Sequence, residues 1–70
     1  MRLSTRNQLA GTVTEVNLGS VMATVKVRLD GGDQIVTASI TKEAVEELGL
    51  TVGTATIVLV KSTEVMLAVD

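Results

Sequence analysis

The chain contains no cysteine, no histidine, no proline and no aromatic residue. Without cysteine there is no disulfide, and without cysteine or histidine the usual zinc sites are excluded. The same two absences remove the commonest general base and the strongest side-chain nucleophile, so nothing in the composition supports an enzyme. Lacking aromatics, the chain has no stacking platform for single-stranded nucleic acid. It lacks a basic surplus as well. Six Lys and Arg against eight Asp and Glu leave a net charge of −2, whereas a general nucleic-acid binder carries a basic face. No apolar run approaches a membrane span, and the first residues lack the apolar centre of a signal peptide. The expectation is a soluble cytoplasmic protein with no membrane or nucleic-acid partner.

What is present is aliphatic. Apolar residues make up 46% of the 70 positions, so any core is built from Val, Leu, Ile, Ala and Met. This length makes one domain, residues 1–70. A chain of that size buries only about 60% of the surface its unfolded form exposes. Small domains compensate with disulfides, a metal or self-association. With the first two excluded, oligomerisation is the expected support.

Val, Ile and Thr are frequent, and turn residues recur at short intervals, which is a β-rich pattern. A first strand is expected over about Gln8–Val16, with Leu9, Gly11, Val13 and Glu15 on one side. Asn17-Leu18-Gly19-Ser20 reads as a turn. The second strand, Met22–Leu29, alternates, with Ala23, Val25, Val27 and Leu29 inward and Thr24, Lys26 and Arg28 outward. Asp30-Gly31-Gly32-Asp33 is a hairpin loop leading to a third strand, Gln34–Ile40. The stretch "TKEAVEELGL" then forms a short helix. Thr41 caps its start, Val45 and Leu48 share a face, and Gly49-Leu50 closes it. After a turn at Thr51–Thr54 come two more strands, Ala55–Val60 and Val65–Val69. The expected fold is therefore all-β: a small five-stranded OB-like Greek-key β-barrel with one short helix between strands 3 and 4. "IVLV" and "VMLAV" are apolar on both faces. One small barrel cannot cover both, and the surplus reads as a subunit interface.

Two polar clusters stand at the ends of this pattern. Lys61-Ser62-Thr63 separates the last two apolar runs, and Ser4-Thr5-Arg6-Asn7 precedes the first strand. Each alone reads as a turn or a chain end. Together they offer hydroxyl donors, a guanidinium fork and a point charge, a set suited to an oxygen anion. The helix start at Thr41 is a third source of donors. In a weakly acidic protein such a site works through close hydrogen bonds rather than a diffuse field, which favours a compact anion. The eight carboxylates read as solubilising charge, and "DGGD" lacks the ligand spacing and closing Glu of a calcium loop.

The same segments resemble a known family. "STRNQLAGTV" resembles the "SARNQLKG" opening of molbindins, the small Mop-type molybdate-binding proteins, while "ITKEAVEELGLTVG" and "VKSTEVMLAVD" resemble their helix segment and closing strand pair. The resemblance runs over essentially the whole chain. It implies an OB-like barrel assembled as a homohexamer, a trimer of dimers, that binds molybdate or tungstate between subunits and uses no organic cofactor. Carried over position by position, it implies Ser4, Arg6, Lys61 and Ser62 as ligands, with Thr41 supplied by the neighbouring subunit. A second oxyanion site near the three-fold axis would lie around Gly19, Ser20 and Val21. Thr5 departs from the family's Ala, and Asn7 reads as a bracket into the first strand rather than a ligand. The implied role is molybdenum storage or homeostasis. Two other readings stand beside it: a generic OB-type binder of oligonucleotides or oligosaccharides, and a purely structural oligomerisation module.

Overall fold

The computed structural model describes residues 1–70. Strands β1 (Asn7–Leu18), β2 (Met22–Leu29) and β3 (Ile35–Thr41) are followed by helix α1 (Lys42–Leu48), strand β4 (Ala55–Val60) and a 3₁₀ turn at Ser62–Glu64. The sheet order is β3-β2-β1-β4, antiparallel throughout. Three hairpin-linked strands with the fourth returned beside the first make a Greek key, and α1 lies in the long return connection.

The centre of the fold is β1, which pairs with two partners in succession. Asn7 to Thr12 face Val60 to Ala55 of β4, and Gly11 to Leu18 face Leu29 to Ala23 of β2. The strand must bend where the two ladders overlap, and Gly11 sits there, buried. A Cβ at Gly11 would stand 2.5 Å from the Arg28 carbonyl oxygen and 2.7 Å from a Val27 methyl carbon. Two residues later the register slips between Val13 and Glu15. That β-bulge reverses the alternation. Val16, not Glu15, packs against the core. Glu15 instead turns outward, where it accepts from Asn17 Nδ2 at 2.9 Å and lies 3.9 Å from Lys26 Nζ. The expected inward position of Glu15 is thereby corrected.

On β2 the expected alternation holds. Ala23, Val25 and Val27 are buried, and with Val13 and Val45 they form the core. Helix α1 contributes Val45 to it, but Leu48 is 67% exposed. Leu48 stays at the rim, where it lines an apolar groove with the core residues Val13, Val25 and Val27. Both helix ends are closed as the sequence suggests. Thr41 Oγ1 accepts from the Ala44 N–H at 3.0 Å. Gly49 adopts a left-handed φ of 64°. The Gly49 N–H donates to the Glu46 carbonyl and the Leu50 N–H to the Val45 carbonyl, which is a Schellman closure with Leu50 packed on the core.

The fifth strand is absent. Residues Val65–Asp70 form no ladder within the chain. Met66, Leu67 and Val69 are more than nine-tenths exposed. The 3₁₀ turn at Ser62–Glu64 interrupts the chain after β4, and the segment beyond it pairs with neither open edge of the sheet, β3 or β4. An apolar groove of about 240 Å³, lined by Ala38 and Ile40 of β3, Leu50, and Thr56 and Val58 of β4, lies beneath the sheet. Only 6 of the 70 residues are buried. The radius of gyration is 12.8 Å, against about 11 Å for a compact chain of this length. No helix is long and apolar enough to cross a membrane.

Candidate functional site

The first pairing of β1 with β4 joins the two polar clusters. Asn7 stands opposite Val60, so the residues just before β1 and just after β4 emerge side by side at one end of the sheet. Arg6 and Lys61 flank that last pair, with Ser4 and Ser62 close by in sequence, and all four are exposed. The chain's one ion pair joins Lys26 and Glu15, so neither Arg6 nor Lys61 is held by a carboxylate. Two cations and two hydroxyls are thus presented together to solvent.

Three side-chain contacts shape this end. Asn7 Nδ2 donates to the Val60 carbonyl at 3.1 Å and reaches Ser62 Oγ at 3.4 Å. Asn7 is thereby the bracket between the opening segment and the closing turn. Gln8 Nε2 donates to the Thr5 carbonyl at 2.8 Å, which holds the approach to Arg6 in a defined path. Gln8 was not singled out in the sequence, because a side chain that serves a backbone carbonyl leaves no pattern there. The closing turn is tightened by the Glu64 N–H donating to the Lys61 carbonyl at 2.9 Å.

Thr41 lies elsewhere. It pairs with Met22 at the far end of β2, next to the end of β1 opposite Asn7. Within one chain Thr41 and the Arg6–Lys61 pair therefore stand at opposite ends of the 12-residue strand β1. Thr41 instead shares an open depression of about 460 Å³ with Ser20, Val21, Lys42, Glu43 and Glu46. The Lys42 N–H donates to the Val21 carbonyl at 2.8 Å, which ties the helix start to the β1–β2 turn. Within that turn the Gly19 N–H is spent on the Met22 carbonyl at 2.8 Å. The N–H groups of Ser20 and Val21 have no partner in the chain. Gly19 thus shapes the turn, and Ser20 and Val21 carry its free donors. With one lysine against two glutamates, this depression is acidic.

Comparison with known proteins matches the TOBE domain family over residues 3–67. The chain belongs to that family. Within it, Mop-type relatives are similar along their full length. Molybdenum-pterin-binding protein 3 of Clostridium pasteurianum is 43% identical over 67 residues, covering 96% of this chain and 97% of that one. The apo structure of MopII from the same organism superposes with a TM-score of 0.90 at 38% identity, covering 97% of this chain and all of that one. ModG, a cytoplasmic molybdate-binding protein solved with molybdate bound, superposes with a TM-score of 0.82 at 45% identity. There the match covers 89% of this TOBE chain and 43% of ModG. The chain also spans 26% of the molybdenum transport protein ModE of Azotobacter vinelandii, to which it is 44% identical over 70 residues. The molbindin resemblance read from the sequence therefore stands, as does the OB-like fold, with four strands in one chain in place of five.

Proposed function

We propose that this chain binds molybdate, or the similarly shaped tungstate, reversibly and without covalent change, at sites shared between copies of itself. The observation that carries this reading is the Asn7–Val60 pairing, which sets Arg6 and Lys61 near each other at one end of the sheet, neither of them in an ion pair within the chain. Molybdate is a tetrahedral dianion with four oxygen acceptors. Ser4 and Ser62 replace part of its hydration shell, while Arg6 and Lys61 offset its charge. Its charge and shape match those of sulfate, so discrimination falls to the size of the cavity. The relatives named for molybdenum or molybdate support the choice of anion. The chemistry is binding, not turnover.

The assembly reading has its own support. A cationic end bearing Arg6 and Lys61 and an acidic depression bearing Glu43, Glu46 and Thr41 lie at opposite ends of β1. Each complements the other on a neighbouring copy. Thr41 of one subunit then reaches the Ser4, Arg6, Lys61 and Ser62 of the next. Ser20 and Val21, with Gly19 shaping their turn, form the second site. The exposed apolar segment Val65–Val69 becomes buried, and closed rings of such contacts build the hexamer, a trimer of dimers. Storage or homeostasis of molybdenum in the cytoplasm is the role this chemistry serves.

Calorimetric titration with molybdate, tungstate and sulfate tests the reading. Heat is expected from the first two at micromolar protein, with sulfate weaker, and Arg6→Ala or Lys61→Ala should weaken binding about tenfold or more. Absence of heat from molybdate sinks the proposal. Unchanged binding in both variants would place the site away from Arg6 and Lys61, whereas an oligomer that binds none of the three anions would favour a purely structural oligomerisation module, to which the exposed C-terminal segment lends weight.

A further inference from the structure

We infer that Asn7 is a positioning residue that sets the polarity of the Ser62 hydroxyl, making it a hydrogen-bond donor toward the bound anion. This rests on the anion-binding reading above and deepens it. The Val60 carbonyl oxygen can only accept, and its partner at 3.1 Å on Asn7 is therefore the amide nitrogen and not the amide oxygen. That contact fixes the orientation of the carboxamide. Its nitrogen carries two hydrogens, and the second is directed to Ser62 Oγ, 3.4 Å away. A serine hydroxyl has two lone pairs and one proton. With Asn7 occupying a lone pair, the proton turns away from Asn7 and toward the open side, where Lys61 and Arg6 emerge. The half-burial of Asn7 in the β1–β4 ladder holds the device in place.

The consequence is a site lined by donors. An anion whose oxygens all lack protons, such as molybdate or tungstate, finds a donor at Ser62. Hydrogen phosphate carries a proton of its own and needs an acceptor, and the Asn7 amide takes one of the two lone pairs that Ser62 could offer it. Asn7 thus favours fully deprotonated oxyanions over protonated ones without touching either.

A double-mutant cycle tests this, with binding of molybdate and of phosphate measured calorimetrically in wild type, Asn7→Ala, Ser62→Ala and the double variant. Asn7→Ala alone is expected to weaken molybdate binding about three- to tenfold and to lower the preference for molybdate over phosphate. On the Ser62→Ala background the same substitution should change binding by less than about twofold, because its target is gone. Equal losses on both backgrounds would mean that Asn7 acts only by bracing the strands, which overturns the inference while leaving the anion-binding reading intact. If wild type binds no molybdate, both fall. Should Asn7→Ala fail to assemble, nuclear magnetic resonance of the Asn7 carboxamide decides. One of its two protons should shift in Ser62→Ala while the other, on Val60, stays; two unmoved protons refute the contact.

Discussion

At the scale of single residues, two positions show how a small side chain, or none, sets what the chain can do. Gly11 is buried where β1 passes from one partner strand to the other, and the space a methyl group would need is filled by the Arg28 backbone. Backbone cannot move aside as a flexible side chain can. Gly11→Ala should therefore cost about 1–3 kcal/mol, read as a lower denaturant midpoint. An unchanged midpoint would mean the crossing is looser than described. Asn7 was legible as a bracket because an amide flanking the first strand suits that role. Its contact with Ser62 was not, since 55 residues separate the two. Glu15 failed for a related reason. Alternation was read straight through Val13, and a bulge one residue later is invisible to a period of two.

At the scale of elements, α1 is the clearest case of local signals agreeing. Its 7 residues are too few to be stable alone, yet Thr41 and Gly49 satisfy its ends and Val45 anchors it. Thr41→Ala should cost about 1 kcal/mol through the lost cap and lower the melting temperature by about 4–8 °C. Thr41→Ser keeps both the cap and a hydroxyl. If Thr41 also reaches a neighbour's anion, the Ala variant loses molybdate affinity and the Ser variant keeps it. A calorimetric series in which the two variants bind alike would remove Thr41 from the site. The closing strand is the contrasting case. "VMLAV" carries every strand preference, but preference does not bring a segment to an edge, and the open edges at β3 and β4 are left unpaired by it.

At the scale of the whole molecule, a core of so few buried residues is the physical ground for the proposed self-association. Ile57 and Leu59 of β4 and Val65 after the closing turn are nearly half exposed, and Met66, Leu67 and Val69 are almost fully so. An apolar surface of this kind marks an interface. Truncation after Glu64 removes the segment without touching any ladder of the sheet. Light scattering of that variant should report a monomer where the full chain reports an oligomer. An unchanged mass would place the interface elsewhere.

The sequence by itself determined the order of strands and helix, the inward face of β2, both helix caps and the two polar clusters. Each of these is written in residues close together along the chain, where periodicity, turn chemistry and capping act. Tertiary structure alone decided the bend at Gly11, the bulge after Val13, the meeting of Arg6 with Lys61 and the separation of Thr41 from both. Those depend on which strands pair and in what register, and pairing is a contest among distant segments for the same hydrogen bonds. The exposed end of the chain follows from the same contest, because the segment with the strongest strand character is the one left without a partner.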